Sequence, residues 1–246
     1  MEKDTKIMSE LVQTLWIGDT LSPVERMCLS SFVKVNGGIV LYAYSDIKNV
    51  PTGVEVRDGN DILDESEIFS YKVGEGKGSV SAFSNCFRYK LLLEQGGWWV
   101  DTDVLCLQPL PKGDDYVFST EYQQDGTPHV ATGIIKCKAG SDIMKECFDY
   151  SMAQDREKLA WGQIGPKLLH RKVQELGMEE YRVDPNQYNP LFGPEVGKLF
   201  DPRIDLEYPE SKTVHLWNEI WRRFGIDKNA IYHPDSFIEK NKRKYL

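Results

Sequence analysis

Residues 81–110, SAFSNCFRYKLLLEQGGWWVDTDVLCLQPL, constrain this chain more than any other stretch. They read as a helix, a glycine turn and a short buried strand that ends in Asp101 and Asp103, after which apolar chain resumes with VLCLQPL. A buried strand gains nothing in packing from two acids at its end. In an extended segment alternate side chains share a face. The two carboxylates are therefore expected to point alike and to reach one divalent cation.

The helix before that strand, read over residues 79–95, carries two stripes. Ala82, Cys86, Tyr89 and Leu93 recur at i, i+4, i+7 and i+11 and should face the core. Ser81, Asn85 and Arg88 form a polar stripe beside them, with Asn85 and Arg88 one turn apart. Alone, such a stripe would be a solvated face. Leading straight into a carboxylate pair, it reads as part of the same site.

Around this centre the pattern alternates between strands and helices. Residues 12–18 read as a strand, and Ser22-Pro23 opens a helix that runs to Asn36 and stops at Gly37-Gly38. Residues 38–44, GIVLYAY, are a continuous apolar run, as in a buried parallel sheet. Strand, helix, strand in this order favours a right-handed crossover. A further short strand is expected over 54–58, then an acidic helical or irregular segment, DILDESEIF. The loop VGEGKGS (73–79) lacks the spacing of a phosphate loop and reads as a mobile connection, with a lid over the site as the sharper alternative. Strands are expected over 116–122 and 129–138, and helices over 141–154 and from Gly165-Pro166 to about residue 177. The chain is loop-rich from Val183, and residues 212–225 carry a short strand with His215. The simplest division is one α/β domain over 1–246, with a core over 12–154 and an elaborated C-terminal part over 155–246.

A net charge of −8 argues against a nucleic-acid binder, since neutralising phosphates needs a basic surface. An acidic protein that takes an anionic nucleotide needs a local cation, which carboxylates can hold. No apolar run approaches the roughly 18 residues of a membrane span. The start, MEKDTKIMSE, reads as a frayed end or short arm without the apolar core of a secretory signal. The five cysteines show no CxxC and read as reduced core residues of a cytoplasmic protein. The tail residues Lys240, Lys242, Arg243 and Lys244 read either as a solvated end or as contact with anionic lipid at the inner face of a membrane.

The segment SAFSNCFRYKLLLEQGGWWVDTDV resembles the signature of DXD-containing sugar transferases: glycosyltransferase family thirty-two and the catalytic domains of glucosylating toxins. That signature is Ser-Asp, two residues, Arg-Tyr, an apolar helix, Gly-Gly, aromatics and Asp-x-Asp-Val. TLWIG (14–18) resembles the first strand of these families. GQIGP (162–166) is similar to their Thr-Gly-Pro segment, and HLWN (215–218) to the His-x-Trp-Asn of the α1,4-hexosyltransferase branch. The resemblance implies a GT-A-like nucleotide-binding sandwich with a mixed, mostly parallel sheet. It also implies retaining transfer of a hexose from a nucleotide-diphosphate sugar, a UDP-sugar favoured. The acceptor would be a saccharide or lipid-linked glycan, as in bacterial capsule or O-antigen assembly. The family has an acid where this chain has Asn85. Asparagine accepts a hydrogen bond and adds two donors, so a changed sugar preference or lowered activity is implied.

On this reading Asp103 ligates Mn²⁺ or Mg²⁺, Asp101 shares it and reaches the donor ribose, and His215 is a third ligand. Trp16 stacks on the base. Asn85 and Arg88 hold the donor sugar or phosphate. Trp161, Trp217 and Asn218 face the acceptor. No acid stands out as a nucleophile, and front-side attack assisted by the leaving phosphate is what the family implies. Two rival readings use the same carboxylates: a Mg²⁺-dependent nucleotidyl or phosphoryl transferase, and a nucleotide-sugar-binding protein without turnover.

Overall fold

The structure, a computed structural model, describes residues 11–246. The expected N-terminal arm lies outside the described residues.

Ser22 caps the first helix, α1 (Pro23–Asn36), and forms a capping box with Glu25; proline occupies its first turn, and Gly37 ends it in the left-handed region. These are the signals that open and close a helix. α1 follows strand β1 (Val12–Trp16) and leads into β2 (Ile39–Ala43), its parallel neighbour. β3 (Val54–Asp58) adds a parallel edge. The acidic segment that follows forms two single 3₁₀ turns, Gly59–Asp61 and Glu65–Glu67, rather than an α-helix. In both, an aspartate at the cap takes the amide two residues on, which stabilises a turn at the expense of a longer helix.

α2 (Ser81–Gln95) is the helix of the central signature, and it turns into β4 (Gly97–Val100) at Gly96. Gly96 has φ 67°, and a Cβ there would lie 2.5 Å from the Ala139 amide nitrogen. No other residue could make so short a reversal here. β5 (Val104–Cys106), β6 (Val117–Tyr122) and β7 (Pro128–Cys137) follow. Then come α3 (Asp142–Met152), α4 (Pro166–Glu175), β8 (Arg182–Val183), the single-turn α5 (Pro185–Tyr188) and β9 (Thr213–His215). α6 (Asn218–Phe224) and α7 (Phe237–Tyr245) close the chain.

The main sheet has the order β3-β2-β1-β4-β7-β6-β8, in which β7 alone runs antiparallel to its neighbours. Side-chain alternation sorts the core. Trp98 and Val100 pack with Leu29 and Phe32 of α1 on one face, and Trp99 packs with Phe87 of α2 and with Leu168 of α4 on the other. α7 docks on α1 through Ile238 and Tyr245. The basic tail is therefore part of the folded body. Lys242 is buried and spent on Glu239 and the Ala230 carbonyl, Lys240 pairs with Asp205, and Arg243 and Lys244 are exposed. Among the described residues no helix is long and apolar enough to cross a membrane. All five cysteines are buried and unpaired.

The chain runs outward from β1 to β3 and then returns to β4 on the other side of β1. That reversal opens a crevice beyond the carboxyl ends of β1 and β4, the position where open α/β sheets take their ligands. Trp16 ends β1, and Asp101 follows β4.

Candidate metal and nucleotide-sugar site

A cavity of about 800 Å³ occupies that crevice, and its lining includes Trp16, Asn85, Arg88, Asp101, Asp103 and His215. The polar stripe read from the sequence faces it. Asn85 and Arg88 are 5% and 3% exposed, so the stripe is turned inward rather than solvated. The neighbouring stripe packs as expected, with Ala82, Cys86 and Tyr89 buried and Leu93 partly so.

Asp101 and Asp103 come together, but not by strand alternation. β4 ends at Val100, and the Val104 amide bonds back to the Asp101 carbonyl at 3.1 Å, so the pair sits on a tight turn between two strands. The alternation argument fails because the chain changes sheets here: β5 leaves β4 and pairs with β9. That pairing sets Val104 opposite His215. Ligand atoms of Asp101, Asp103 and His215 consequently lie within 4.8 Å of one another.

Each acid has its own support. Asp101 Oδ1 accepts from Trp99 Nε1 at 2.8 Å and from Arg88 Nη2 at 3.0 Å. Arg88 also donates to the Thr132 carbonyl and lies over the Trp99 ring. Asp103 Oδ2 accepts from the Asn218 amide at 2.7 Å and lies 3.3 Å from His215 Nε2. Burial works against the charge on both partners, yet the pair overcomes it. Asp103 is held below the usual carboxylate range by the His215 charge and hydrogen bond and by the Asn218 amide. His215 is lifted to about 9, with Asp103 opposing the effect of burial and Asp101 and Glu121 adding to it.

A break in β7 completes the floor. The β6–β7 register slips between Phe118 and Thr120, leaving residues 131–134 out of that ladder, and Thr132 and Gly133 of this stretch line the cavity. The Gly133 carbonyl there accepts the Asp101 amide at 2.8 Å. A Cβ on Gly133 would lie 3.4 Å from Asp101 Oδ2 and 3.6 Å from His215 Nδ1. Asp101 Oδ2 and the imidazole thus converge over a position kept free of a side chain. His215 Nδ1 is buried there without a hydrogen-bond partner. Two carboxylates, an orphaned imidazole nitrogen and an open cradle between them suit a divalent cation.

The remaining residues of the sequence reading divide. Trp16 lines the cavity, with Lys228 5.5 Å over its ring and its own Nε1 buried without a partner. Trp161 also lines it, packed between Tyr71, Arg223 and the loop glycine Gly76. The 73–79 loop thus lies against Trp161, and Glu75 pairs with Arg223 of α6 at 3.0 Å. Trp217 stacks on His215 at 4.2 Å and donates Nε1 to the Leu191 carbonyl. Asn218 also lines the cavity; its Nδ2 donates to Glu25 at 2.6 Å, and its Oδ1 is buried without a partner. Gly165 of the GQIGP segment sits against Asn85: a Cβ there would be 2.9 Å from Asn85 Nδ2. Two motifs far apart in sequence are therefore in contact.

Two lining residues, Gly133 and Glu121, and one residue behind the wall, Glu25, escaped the sequence reading. Gly133 had no local signal. Glu25 looked like an ordinary first-turn acid. Glu121, on β6, lines the cavity, and burial pushes its carboxyl up against the opposing pull of His215. The signal available for it was one acid in a strand otherwise built of apolar and hydroxyl residues, VFSTEY.

Comparison with known proteins agrees with this architecture. Residues 58–122 match the family described as the glycosyltransferase sugar-binding region containing DXD motif. The fold is similar to the ligand-free glycosyltransferase domain from the YGT toxin, at 10% identity and TM-score 0.53, over 96% of this chain and 94% of that one. It is also similar to PaToxG glycosyltransferase, at 12% identity and TM-score 0.50, over 99% of this chain and 91% of the other.

Proposed function

We propose that this chain, whose residues 58–122 make it a glycosyltransferase of the DXD type, moves a hexose from a UDP-sugar to a saccharide or lipid-linked glycan acceptor, with retention at the anomeric carbon. The observation that carries the reading is the convergence of Asp101, Asp103 and His215 within 4.8 Å, at one wall of a cavity that also holds Trp16, Asn85 and Arg88.

Asp101, Asp103 and His215 would hold Mn²⁺ or Mg²⁺. Such a cation, when bound, acts as a Lewis acid on the charge that builds on the departing diphosphate. Arg88 cannot move freely, because Asp101 and Thr132 hold its guanidinium. It keeps Asp101 in place and adds positive charge near the leaving group. Asn85, pressed against Gly165, presents an amide that can both donate and accept to donor-sugar hydroxyls. Trp16 offers an aromatic face to the base. Trp161 and Trp217, which also line the cavity, would face the acceptor, where aromatic faces suit sugar rings. Asn218 gives its Nδ2 to Glu25, which leaves its Oδ1, buried without a partner in a cavity-lining residue, as the atom to meet the acceptor.

In the transfer, the acceptor hydroxyl oxygen bonds to the anomeric carbon as the glycosyl–phosphate bond breaks. The electron pair leaves with the nucleoside diphosphate, and the hydroxyl proton passes to its phosphate oxygen. Such a path needs positioning and charge stabilisation more than a protein base. Attachment of the product to bacterial capsule or O-antigen is the setting this reading favours.

The test is a panel of UDP- and GDP-sugars with Mn²⁺, read as release of free nucleotide, with NMR of the anomeric proton of the product. Metal-dependent release from a UDP-hexose and a retained anomer are expected. Binding without cleavage across the whole panel would replace the transferase reading by that of a nucleotide-sugar-binding protein.

A further inference from the structure

Glu25 is fully buried at the third position of α1. Its Oε2 accepts the Ser22 amide at 2.9 Å, the ordinary service of a capping box. That leaves Oε1 unaccounted for by the helix. Oε1 takes two donors from the far end of the chain: Asn218 Nδ2 at 2.6 Å and Lys228 Nζ at 2.5 Å. Asn218 in turn gives its backbone N–H to Asp103 Oδ2. A continuous path of hydrogen bonds therefore runs from the first helix to the metal-site carboxylate.

The segment this path grips is a strained one. Trp217, between His215 and Asn218, has φ 60° and ψ 47°, and it is the only non-glycine residue with positive φ among the described residues. A bulky residue keeps that conformation only where its surroundings over-determine it. On one side the stacking on His215 and the Leu191 carbonyl hold the Trp217 ring, while the Leu216 amide bonds the Asp103 carbonyl at 2.9 Å. On the other side the side-chain hold is Glu25, through Asn218.

We propose that Glu25 is a positioning residue for the metal end of the site. Through Asn218 it fixes the 215–218 turn, so that the Asn218 amide and the His215 ring both stay on Asp103. This inference rests on the metal reading given above, but not on turnover or on the identity of the donor, so its test does not need activity.

The experiment measures Mn²⁺ affinity of the full chain by titration calorimetry without donor, together with the thermal midpoint. Ser22→Ala removes the other half of the capping box and should lower the midpoint without changing Mn²⁺ affinity. Glu25→Ala should lower the midpoint and weaken Mn²⁺ by about tenfold, the scale of losing a group that orients a metal ligand. Glu25→Gln keeps an acceptor for Asn218 and should restore affinity to within about threefold of wild type on that scale, while the midpoint stays low. Asn218→Ala leaves the cap and the Lys228 pair intact, and should weaken Mn²⁺ about as much as Glu25→Ala with a smaller change in midpoint. If Glu25→Ala does not fold, Asn218→Ala decides. Wild-type affinity in Asn218→Ala, or an equal loss in Ser22→Ala, would overturn the inference. A wild type that binds no Mn²⁺ would remove the metal reading and this inference with it. Metal binding without cleavage of any donor would count against the transferase reading alone.

Discussion

Asp101 and Asp103 stand two positions apart and are held in opposite ways. The side-chain partners of Asp101, Trp99 and Arg88, lie 2 and 13 residues before it, on the helix–turn–strand unit to which it belongs. The amide that holds Asp103 comes from Asn218, 115 residues later, and reaches it only because β9 pairs with β5. The side chains that hold Asp101 are in place once α2 packs on β4, and β7 adds the Gly133 and Thr132 carbonyls behind them. The Asp103 half exists only when the C-terminal segment has docked. The side-chain hold on one acid is therefore local, and that on the other is a property of the whole fold.

The largest expected effects separate the two halves. Arg88→Met removes a cation that is 4% exposed from Asp101, which is 26% exposed and keeps Trp99, and should cost about 1–3 kcal/mol in chemical denaturation, the scale of losing hydrogen bonds to a charged group. Asp103→Asn keeps an acceptor for the Asn218 amide but loses the charge. It should cost stability at about pH 6, where the charged His215 loses its partner, and should stay within about 1 kcal/mol of wild type at about pH 10, where the imidazole is neutral and the Asn218 amide keeps an acceptor. Its Mn²⁺-dependent donor cleavage should fall at least about 100-fold, because loss of even an outer partner of a metal ligand costs 10–100-fold. Equal stability costs for the two variants at about pH 10 would break the contrast between local and remote support.

A smaller effect is expected from pH, and it belongs to the Asp103 half alone. His215 in the folded, metal-free protein is lifted to about 9, above its unfolded value near 6.5. Its contribution is complete below about pH 6.5 and is lost as pH rises through 9. Asp103 is held below its unfolded value, so its contribution is complete above about pH 4 and is lost as pH falls further. In chelator, the gap in thermal midpoint between wild type and His215→Ala should be widest between about pH 4 and 6.5 and should close toward pH 10. Mn²⁺ needs the neutral imidazole and releases its proton, so affinity should rise over the interval from about pH 6.5 to 9. A gap that does not change with pH would show that His215 and Asp103 do not act as a charged pair.

The smallest expected effect sits where the halves meet. Gly133→Ala would place a methyl at ordinary contact distance from Asp101 Oδ2 and His215. Stability should change by less than about 0.5 kcal/mol, the range of a substitution that neither clashes nor leaves a void. Mn²⁺ affinity should fall, because the methyl fills the cradle between the ligands. Unchanged affinity would move the cation away from the floor formed by β7.

How much of this was legible follows from the range of each interaction. The stripes of α2, the glycine turn and the two acids at its strand end could be read directly, because helical periodicity and a misplaced charge are local signals. Trp16 was singled out by resemblance, and its place at the crevice comes from the sheet order that sets β1 beside β4. The reason for the convergence of Asp101 and Asp103 was not legible: extended alternation was the wrong geometry, since the chain turns there and changes sheets. His215 was found by resemblance, while its register opposite Val104 comes from a strand pairing across more than 100 residues. The basic tail showed its charges in sequence but not its burial, because Lys242 is satisfied by groups that only a docked α7 brings near.

The amino-acid sequence by itself determined the central unit: a helix with one apolar and one polar stripe, a turn that only glycine can make, and two acids where a core strand should end. Each of these is set by residues within about four turns of one another. Tertiary structure alone decided which remote groups complete the site. The bulge at Gly133, the β5–β9 pairing, the contact of Gly165 with Asn85 and the hold of Glu25 on Asn218 all join segments with no local preference for each other. Burial of the three cores fixes their distances, and from that packing the site acquires its imidazole, its floor and the hydrogen bonds that hold Asp103.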